Sequence, residues 1–327
     1  MSLKLSVHQE DWILTTPFRI SNAVWNSFPG IVVELQDGQL IGRGEALGVD
    51  YFGEAPASMI AQVEEVAAQI EAGASRSELL ELLPPGGARN AVDSALWDLD
   101  AKRAGKRAWE LAGIDLKEIV TVYTIGLEDE PESMAEKAAA ATHQPLLKVK
   151  LGADRPVERI EAIRSVRPEA SIVVDANQAW DFDQLKDVAP RLKNLGVTMI
   201  EQPLALGADE ELEGYRSPLP LCGDESFSHG GELEQAARRY QMINIKLDKC
   251  GGLTHGIEIA GEARRRGLGL MVGNMGGTSL SMAPTFVVGL LCDFHDVDGP
   301  LLLKEDRPFG LKFHDGRVDP PSKRLWG

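Results

Sequence analysis

Residues 146–178 read LLKVKLGADRPVERIEAIRSVRPEASIVVDANQ, and the order of apolar and polar positions within them decides the fold. Leu146–Leu151 is a short β-rich run, Val157–Arg167 repeats its apolar residues at helical spacing, and Ile172–Asn177 is β-rich again. A strand, a helix and a second strand in so short a stretch describe a right-handed crossover between parallel neighbours. The alternation continues in both directions. Further β-rich runs at Val122–Gly126, Val197–Gln202, Leu219–Asp224, Met242–Leu247, Gly269–Gly273 and Cys292–Asp298 bring the strands to eight, with helical patterns at Phe182–Leu195, Glu232–Tyr240 and Gly256–Arg266. Eight repeats favour closure into an α/β barrel over an open doubly wound sheet, and no glycine-rich dinucleotide fingerprint follows an early strand.

The residues before this pattern are different in kind. Residues 3–8 and 30–36 read as strands, and Asp37-Gly38 signals a hairpin turn before Gly42–Leu47. Two helical stretches follow; in the second, Val92, Leu96 and Leu99 share a face and Gly105 is the expected stop. The chain therefore divides into an α+β unit at 1–117, a barrel at 118–300, and a proline-containing segment at 301–327 expected to pack back on the first unit.

Acidic residues outnumber basic ones by 50 to 34, a net charge of −16, which argues against nucleic acid or an anionic membrane as partner. Three cysteines, Cys222, Cys250 and Cys292, stand in no metal-binding spacing, which points to a reducing cytoplasm. The N-terminus lacks the apolar core of a signal peptide, and no apolar run approaches the roughly 18 residues of a membrane span. The expected partner is a small molecule, with the oligomeric state left open, homo-oligomer included.

In a closed parallel barrel the active site gathers at the carboxyl ends of the strands. Those ends read Lys148-Val-Lys150, Asp175-Ala-Asn177-Gln178, Glu201-Gln202-Pro203, Asp224-Glu225-Ser226, Asn244-Ile-Lys246-Leu-Asp248-Lys249 and Asp296-Val-Asp298-Gly-Pro. Charged side chains do not otherwise belong in strands buried on both faces. Lys148 and Lys150 are two apart and share a side. Asp175, Glu201 and Asp224, on adjacent strands, can converge on one hard cation, with Mg²⁺ the expected occupant. The second and sixth strands stand opposite in an eight-stranded barrel, so Lys150 and Lys246 face each other across the mouth. Asp296 and Asp298 then face the metal position from the far wall.

Each of these has a plainer reading taken alone. Lys148-Val-Lys150 could be a solvated face, Asp175 a turn or cap residue, Glu201 a loop charge, and Asp224-Glu225-Ser226 a helix start. Asp248 and Lys249 could pair locally in a supporting structural role, and Asp296-Val-Asp298-Gly could be a turn. The plain readings fail together, because the charges recur at one register in successive units.

These motifs resemble the muconate-lactonising subgroup of the enolase superfamily, over nearly the whole chain. Asn244-Ile-Lys246-Leu-Asp-Lys-x-Gly-Gly and Asp296-Val-Asp298-Gly-Pro-Leu look most like the dipeptide epimerases, whose best-known activity is L-Ala-D/L-Glu epimerisation. The resemblance implies a modified TIM barrel with an α+β N-terminal capping domain. It implies Lys150 and Lys246 as acid/base lysines, Lys148 as an electrostatic helper, and Asp296 and Asp298 as the holder of a substrate ammonium. No histidine ends the seventh strand (Met271–Met275), unlike the mandelate racemase branch, so two-lysine chemistry is favoured.

Enolase-superfamily sites pair a Lys or His base with a Mg²⁺-stabilised ene-diolate. A neutral lysine that takes a proton next to a carboxylate needs its pKa drawn down from about 10.4, and Lys148 with the metal would do this to Lys150. Lysines on both faces predict racemisation or epimerisation, and an ammonium grip opposite the metal predicts a dipeptide with free termini. In Ala-Glu epimerases an arginine of the early loop is expected to pair with the glutamate carboxylate. Here that loop runs Arg19-Ile-Ser-Asn22-Ala23-Val24-Trp25-Asn26-Ser-Phe28, with Asn22, Ala23 and Trp25 where the arginine is sought. The departure favours a neutral or apolar C-terminal residue, with Trp25 and Asn22 as candidate substrate contacts; alternatively Trp25 and Phe28 are interface core. The rivals are L-Ala-D/L-Glu epimerase proper, o-succinylbenzoate synthase, N-succinylamino acid racemase or muconate cycloisomerase, and a metal-binding barrel without catalysis. Substrates of the synthase, the N-acyl racemase and the cycloisomerase offer no ammonium to the Asp-x-Asp pair.

Overall fold

The structure is a computed structural model describing residues 3–20 and 23–327. Three antiparallel strands open the chain: β1 (Lys4–Arg19), β2 (Val24–Asp37) and β3 (Leu40–Ala46). The Asp37-Gly38 turn forms as read, with Gly38 at φ 59° and Asp37 paired to Leu40. Four helices follow rather than two: α1 (Pro56–Glu65), α2 (Ala67–Glu71), α3 (Arg76–Leu82) and α4 (Gly87–Ala104). The short ones escape a periodicity reading because one or two turns carry too few apolar positions; α3 is marked instead by its Ser75/Glu78 capping box.

Val92, Leu96 and Leu99 of α4 are buried as their spacing predicts, and Gly105 ends the helix at φ 65°. Asn90, Asp93 and Asp98 are buried too, so α4 is enclosed on every side up to Leu99 and only its last turn reaches solvent. It lies directly on β3: a Cβ on Gly44 would sit 2.1 Å from Ala91 O, and one on Gly42 2.2 Å from Ala95 O.

After α5 (Ala108–Leu111) and β4 (Ile119–Val120) the alternation begins: β5 (Tyr123–Ile125), α6 (Pro131–Ala140), β6 (Leu146–Lys150), α7 (Pro156–Val166), β7 (Ser171–Asp175), α8 (Phe182–Asn194), β8 (Val197–Glu201) and β9 (Leu221–Gly223). It continues with α9 (Leu233–Arg239), β10 (Met242–Lys246), α10 (Leu247–Cys250), α11 (Leu253–Arg265), β11 (Gly269–Gly273), α12 (Ser279–Gly289), β12 (Phe294–His295) and α13 (Gly299–Leu302). Strands β5 to β12 form one eight-stranded parallel sheet in sequence order. Val122 N–H donates to His295 O at 2.8 Å and joins its two ends. The strand expected at Cys292–Asp298 shrinks to two residues because Val297 N–H turns to the Thr121 hydroxyl instead of a ladder carbonyl. Likewise only Leu221–Gly223 of Leu219–Asp224 is strand.

The remaining strands are β13 (Phe313–His314) and β14 (Arg317–Val318); β13 pairs with β14, which pairs with β4. Beyond them the chain meets the N-terminal elements: Trp326 Nε1 donates to Ser94 O (3.0 Å) and Gly327 N to Asp98 Oδ1 (2.7 Å). Among the described residues no helix is long and apolar enough to cross a membrane.

Candidate active site

The barrel interior is filled in layers, and the layers place the site. Val122, Leu146, Val173, Met199, Cys222, Met242, Met271 and Phe294 pack together as an apolar plug, one from each strand or its edge. Side chains alternate along a strand, so the next inward residue lies two positions on. For most strands that residue is polar: Thr124, Lys148, Asp175, Glu201, Asp224, Asn244 and Asp296. Two positions further stand Lys150, Asn177, Lys246 and Asp298. Above the plug a cavity of about 250 Å³ opens toward the N-terminal elements, lined by Lys148, Lys150, Asp224, Lys246, Asp296 and Asp298 and roofed by Phe18, Trp25, Phe28 and Tyr51.

Asp175, Glu201 and Asp224 are buried and each brings a carboxylate oxygen within 4.8 Å of the others. An all-oxygen set of this kind suits a hard divalent cation. Lys148 Nζ lies 2.7 Å from Glu201, 2.9 Å from Asp296 and 3.3 Å from Asp175. Lys150 Nζ is 2.6 Å from Asp175 Oδ2, and Lys246 Nζ is 2.8 Å from Asp224 Oδ2. Strands β6 and β10 lie four places apart in the sheet, so these two amines approach the acids from opposite walls. The carboxyls of Asp175, Glu201, Asp224, Glu225, Asp296 and Asp298 outnumber the amines of Lys148, Lys150, Lys246 and Lys249, an excess a divalent cation would balance.

Charge is unevenly shared among them. Burial and the neighbouring Asp175 raise Glu201 to about 7, with Lys148 opposing. Burial also raises Asp224, but Lys246, Lys249 and Lys148 overcome it and hold that carboxyl well below its ordinary range. Burial draws Lys246 down, yet Asp224 beside it more than compensates and leaves it raised. Lys148 is likewise raised by Glu201, Asp296 and Asp175 against its burial.

Asp296 and Asp298 reach the cavity, but neither stands free. Asp296 contacts Lys148 and accepts from Asn274 Nδ2 at 2.9 Å; Asp298 accepts from Thr124 N–H at 2.8 Å. Burial and Asp296 push Asp298 to about 8. Asp248 and Lys249 form no local pair: Lys249 Nζ runs inward to Asp224 Oδ1 (2.7 Å) and Phe227 O, whereas Asp248 runs outward to the N–H groups of Leu47 and Gly48. The ends of a short helix turn, not adjacency, set their directions. Trp25 and Phe28 both line the cavity, Phe28 packed with Leu14 and Leu303 and Trp25 against that same cluster, so each is wall and core at once. Arg19 pairs with Asp129. Asn22 lies outside the described residues.

Asn244 and Gln202 stood in the strand-end motifs with no role assigned to them. Asn244 Nδ2 donates to Glu201 at 2.7 Å, and the Gln202 amide oxygen accepts from the N–H groups of Asp224 and Ser226, tying the fourth strand end to the fifth. Tyr51 enters the cavity from the distant N-terminal unit, which no spacing rule connects to the barrel.

With this geometry in place, residues 132–324 match the enolase C-terminal domain-like family, and residues 2–113 the mandelate racemase/muconate lactonizing enzyme N-terminal domain. The chain belongs to the enolase superfamily. Within the superfamily it is 40% identical to an L-Ala-D/L-Glu epimerase of Escherichia coli, over 96% of this chain and 98% of that one. It is 37% identical to an N-acetyl-D-glutamate racemase of Pseudoalteromonas, over 91% of this chain and 95% of the other. A crystal structure of an enolase family member from Agrobacterium tumefaciens, with homology to dipeptide epimerases and with bound sodium and L-Ala-L-Glu, superposes with a TM-score of 0.96 at 41% identity, covering 99% of this chain and all of that one. The superfamily fold, a modified barrel with an α+β unit, is the one that the strand–helix alternation and the resemblance of the motifs implied.

Proposed function

We propose that this enolase-superfamily chain is a dipeptide epimerase, moving a proton at the Cα of the C-terminal residue with Mg²⁺ as its ion. One observation carries the reading: Lys150 and Lys246 stand on opposed strands with the Asp175, Glu201 and Asp224 carboxyls between them. Mg²⁺ on those three carboxyls would supply positive charge to a substrate carboxylate and ease loss of the adjacent proton. Lys150, neutral, takes the Cα proton from one face, and Lys246, as an ammonium, returns a proton to the other. One C–H bond breaks, one forms, and the centre inverts. Lys148, fully enclosed among acids, keeps its charge and adds to the potential at the carboxylate. An ammonium beside Asp298 would restore the negative charge that burial and Asp296 suppress there.

The wall formed by Phe18, Trp25 and Phe28 suits a neutral or apolar C-terminal side chain. Among the described residues the cavity has no arginine, and its three lysines are each engaged by an acid, so a second carboxylate finds no free cation. The second reading, L-Ala-D/L-Glu epimerase proper, is favoured by likeness to the Escherichia coli enzyme and to the structure holding L-Ala-L-Glu. A dipeptide library in D₂O, with N-acetyl amino acids included, separates them by deuterium uptake at Cα. Fast uptake by apolar-ended dipeptides is expected; uptake confined to Xaa-Glu selects the second reading, and uptake by N-acetylglutamate at a matching rate rejects both. Lys150→Ala and Lys246→Ala should each abolish inversion, and a Lys150→Ala enzyme that still epimerises would remove the assigned base. Acidic charge and free buried cysteines fit a cytoplasmic enzyme with a small-molecule partner.

A further inference from the structure

The segment after Lys246 is bound to the N-terminal elements from two directions. On one side Arg89 of α4 donates from Nη2 to Cys250 O (2.6 Å) and from Nε to Gly251 O (3.1 Å). One turn along the same helix, Asp93 accepts from the N–H of Thr254 at 2.9 Å and so caps the start of α11. On the other side Asp248, only 5% exposed, accepts through a single oxygen from both Leu47 N–H (3.0 Å) and Gly48 N–H (2.9 Å). The next N–H, of Val49, goes to Glu54 Oε2 at 2.8 Å.

Three successive backbone donors thus end on two carboxylates, and what they hold is the turn that introduces Asp50 and Tyr51 to the cavity. Gly48 makes the turn at φ 77°, where a Cβ would also stand 2.7 Å from Met59 Sδ. Val49 anchors the loop's first residue in the core, but beyond it packing does little, since Tyr51 is 43% and Phe52 46% exposed. Past that anchor, the part of the loop that faces the cavity is held by its hydrogen bonds.

We propose that Asp248 is a positioning residue that fixes, as one piece, the 49–53 loop walling the cavity and the strand end presenting Lys246. The proposal rests on the two-lysine reading above. Asp248 lies two residues beyond Lys246, on the short helix α10 whose first turn Lys246 caps. Without its carboxylate, two buried N–H groups lose their acceptor and the loop is released from the Lys246 wall. Lys150 stands across the barrel on β6 and shares none of these bonds. Misplacement by about 1 Å can cost a catalytic group up to about 100-fold, so the loss falls on one face of the substrate and spares the other.

The experiment uses the full-length enzyme with Mg²⁺ and the dipeptide that the wild type exchanges fastest. Initial α-proton exchange in D₂O is measured from each epimer separately, for wild type, Asp248→Ala and Asp248→Asn. Asp248→Ala should slow exchange at least about tenfold from the epimer whose proton faces Lys246, keep the other within about twofold, and raise KM. Asp248→Asn retains an oxygen that can accept both N–H groups and should recover most of the loss. Amide exchange of residues 47–53 should quicken in Asp248→Ala and not in Asp248→Asn. Equal slowing from both epimers, an Asn variant as impaired as Ala, or unchanged amide exchange would each overturn the proposal. If Asp248→Ala does not fold, Asp248→Ser, whose hydroxyl is too short to bridge both donors, is read in the same way. A wild type that exchanges no dipeptide would remove the two-lysine reading and this inference with it.

Discussion

On the proposed reading, substrate choice turns on Trp25. The stretch expected to be an early loop is strand at both ends, because β1 and β2 pair as far as Arg19 and Val24, so Trp25 stands near the start of β2 and its indole gives that part of the cavity an apolar wall. Trp25→Arg should therefore raise kcat/KM for Xaa-Glu relative to apolar-ended dipeptides by about tenfold or more, roughly 1.4 kcal/mol of discrimination. The ratio measured on paired substrates checks this, and an unchanged ratio would mean that Trp25 does not face the inverted residue's side chain. The charged residues of the strand ends were legible because each sits two or four places past an apolar plug residue, a register that a strand's alternation imposes. Their pairing was not legible: that Lys148 reaches Asp296, or Lys249 rather than Asp248 reaches Asp224, depends on distances across the barrel.

At the scale of elements, α4 joins the two halves by capping what lies opposite it. Asp93 is fully buried at the start of α11, and burial raises its carboxyl to about 6 despite the bonds from Thr254. Its folded pKa lies above the unfolded value, so between about pH 4 and 6 the folded state holds the proton that the unfolded state releases. Stability from this group is present below that window, falls as pH rises through it, and is level above. Relative to Asp93→Asn, the wild type should lose on the order of 3 kcal/mol across the window. Urea midpoints of both proteins at several pH values measure it, and parallel curves would show that Asp93 is charged at no such cost. The eight strands were readable from sequence because each repeats a β-rich run before a helix, whereas α2 and α3 were not, being too short to show a period.

For the whole molecule, the acids at the barrel mouth exceed the local amines and lie beneath a roof supplied by the N-terminal strands. Binding Mg²⁺ should therefore stabilise the folded chain, by about 2.7 kcal/mol when the ion stands at 100 times its Kd. Thermal denaturation with Mg²⁺ and with chelator tests this, and Asp224→Asn should remove most of the difference. A melting point indifferent to Mg²⁺ in the wild type would mean that the three carboxyls do not share an ion. Chelation should also stop Cα deuterium uptake while leaving the far-ultraviolet circular dichroism unchanged, because the barrel core is apolar and closed below the site.

The sequence by itself determined the strand count, the parallel order and the identity of the acids and lysines at the strand ends, because these follow from local periodicity and chain direction. Only the tertiary structure decided which lysine meets which acid, how Asp296 and Asp298 are already engaged, and that Tyr51 and Trp25 close the cavity from a unit far upstream in the chain. The physical reason is range: a side chain's alternation is set by its own backbone, whereas an ion pair or a cavity wall exists only once segments distant in the chain are brought together.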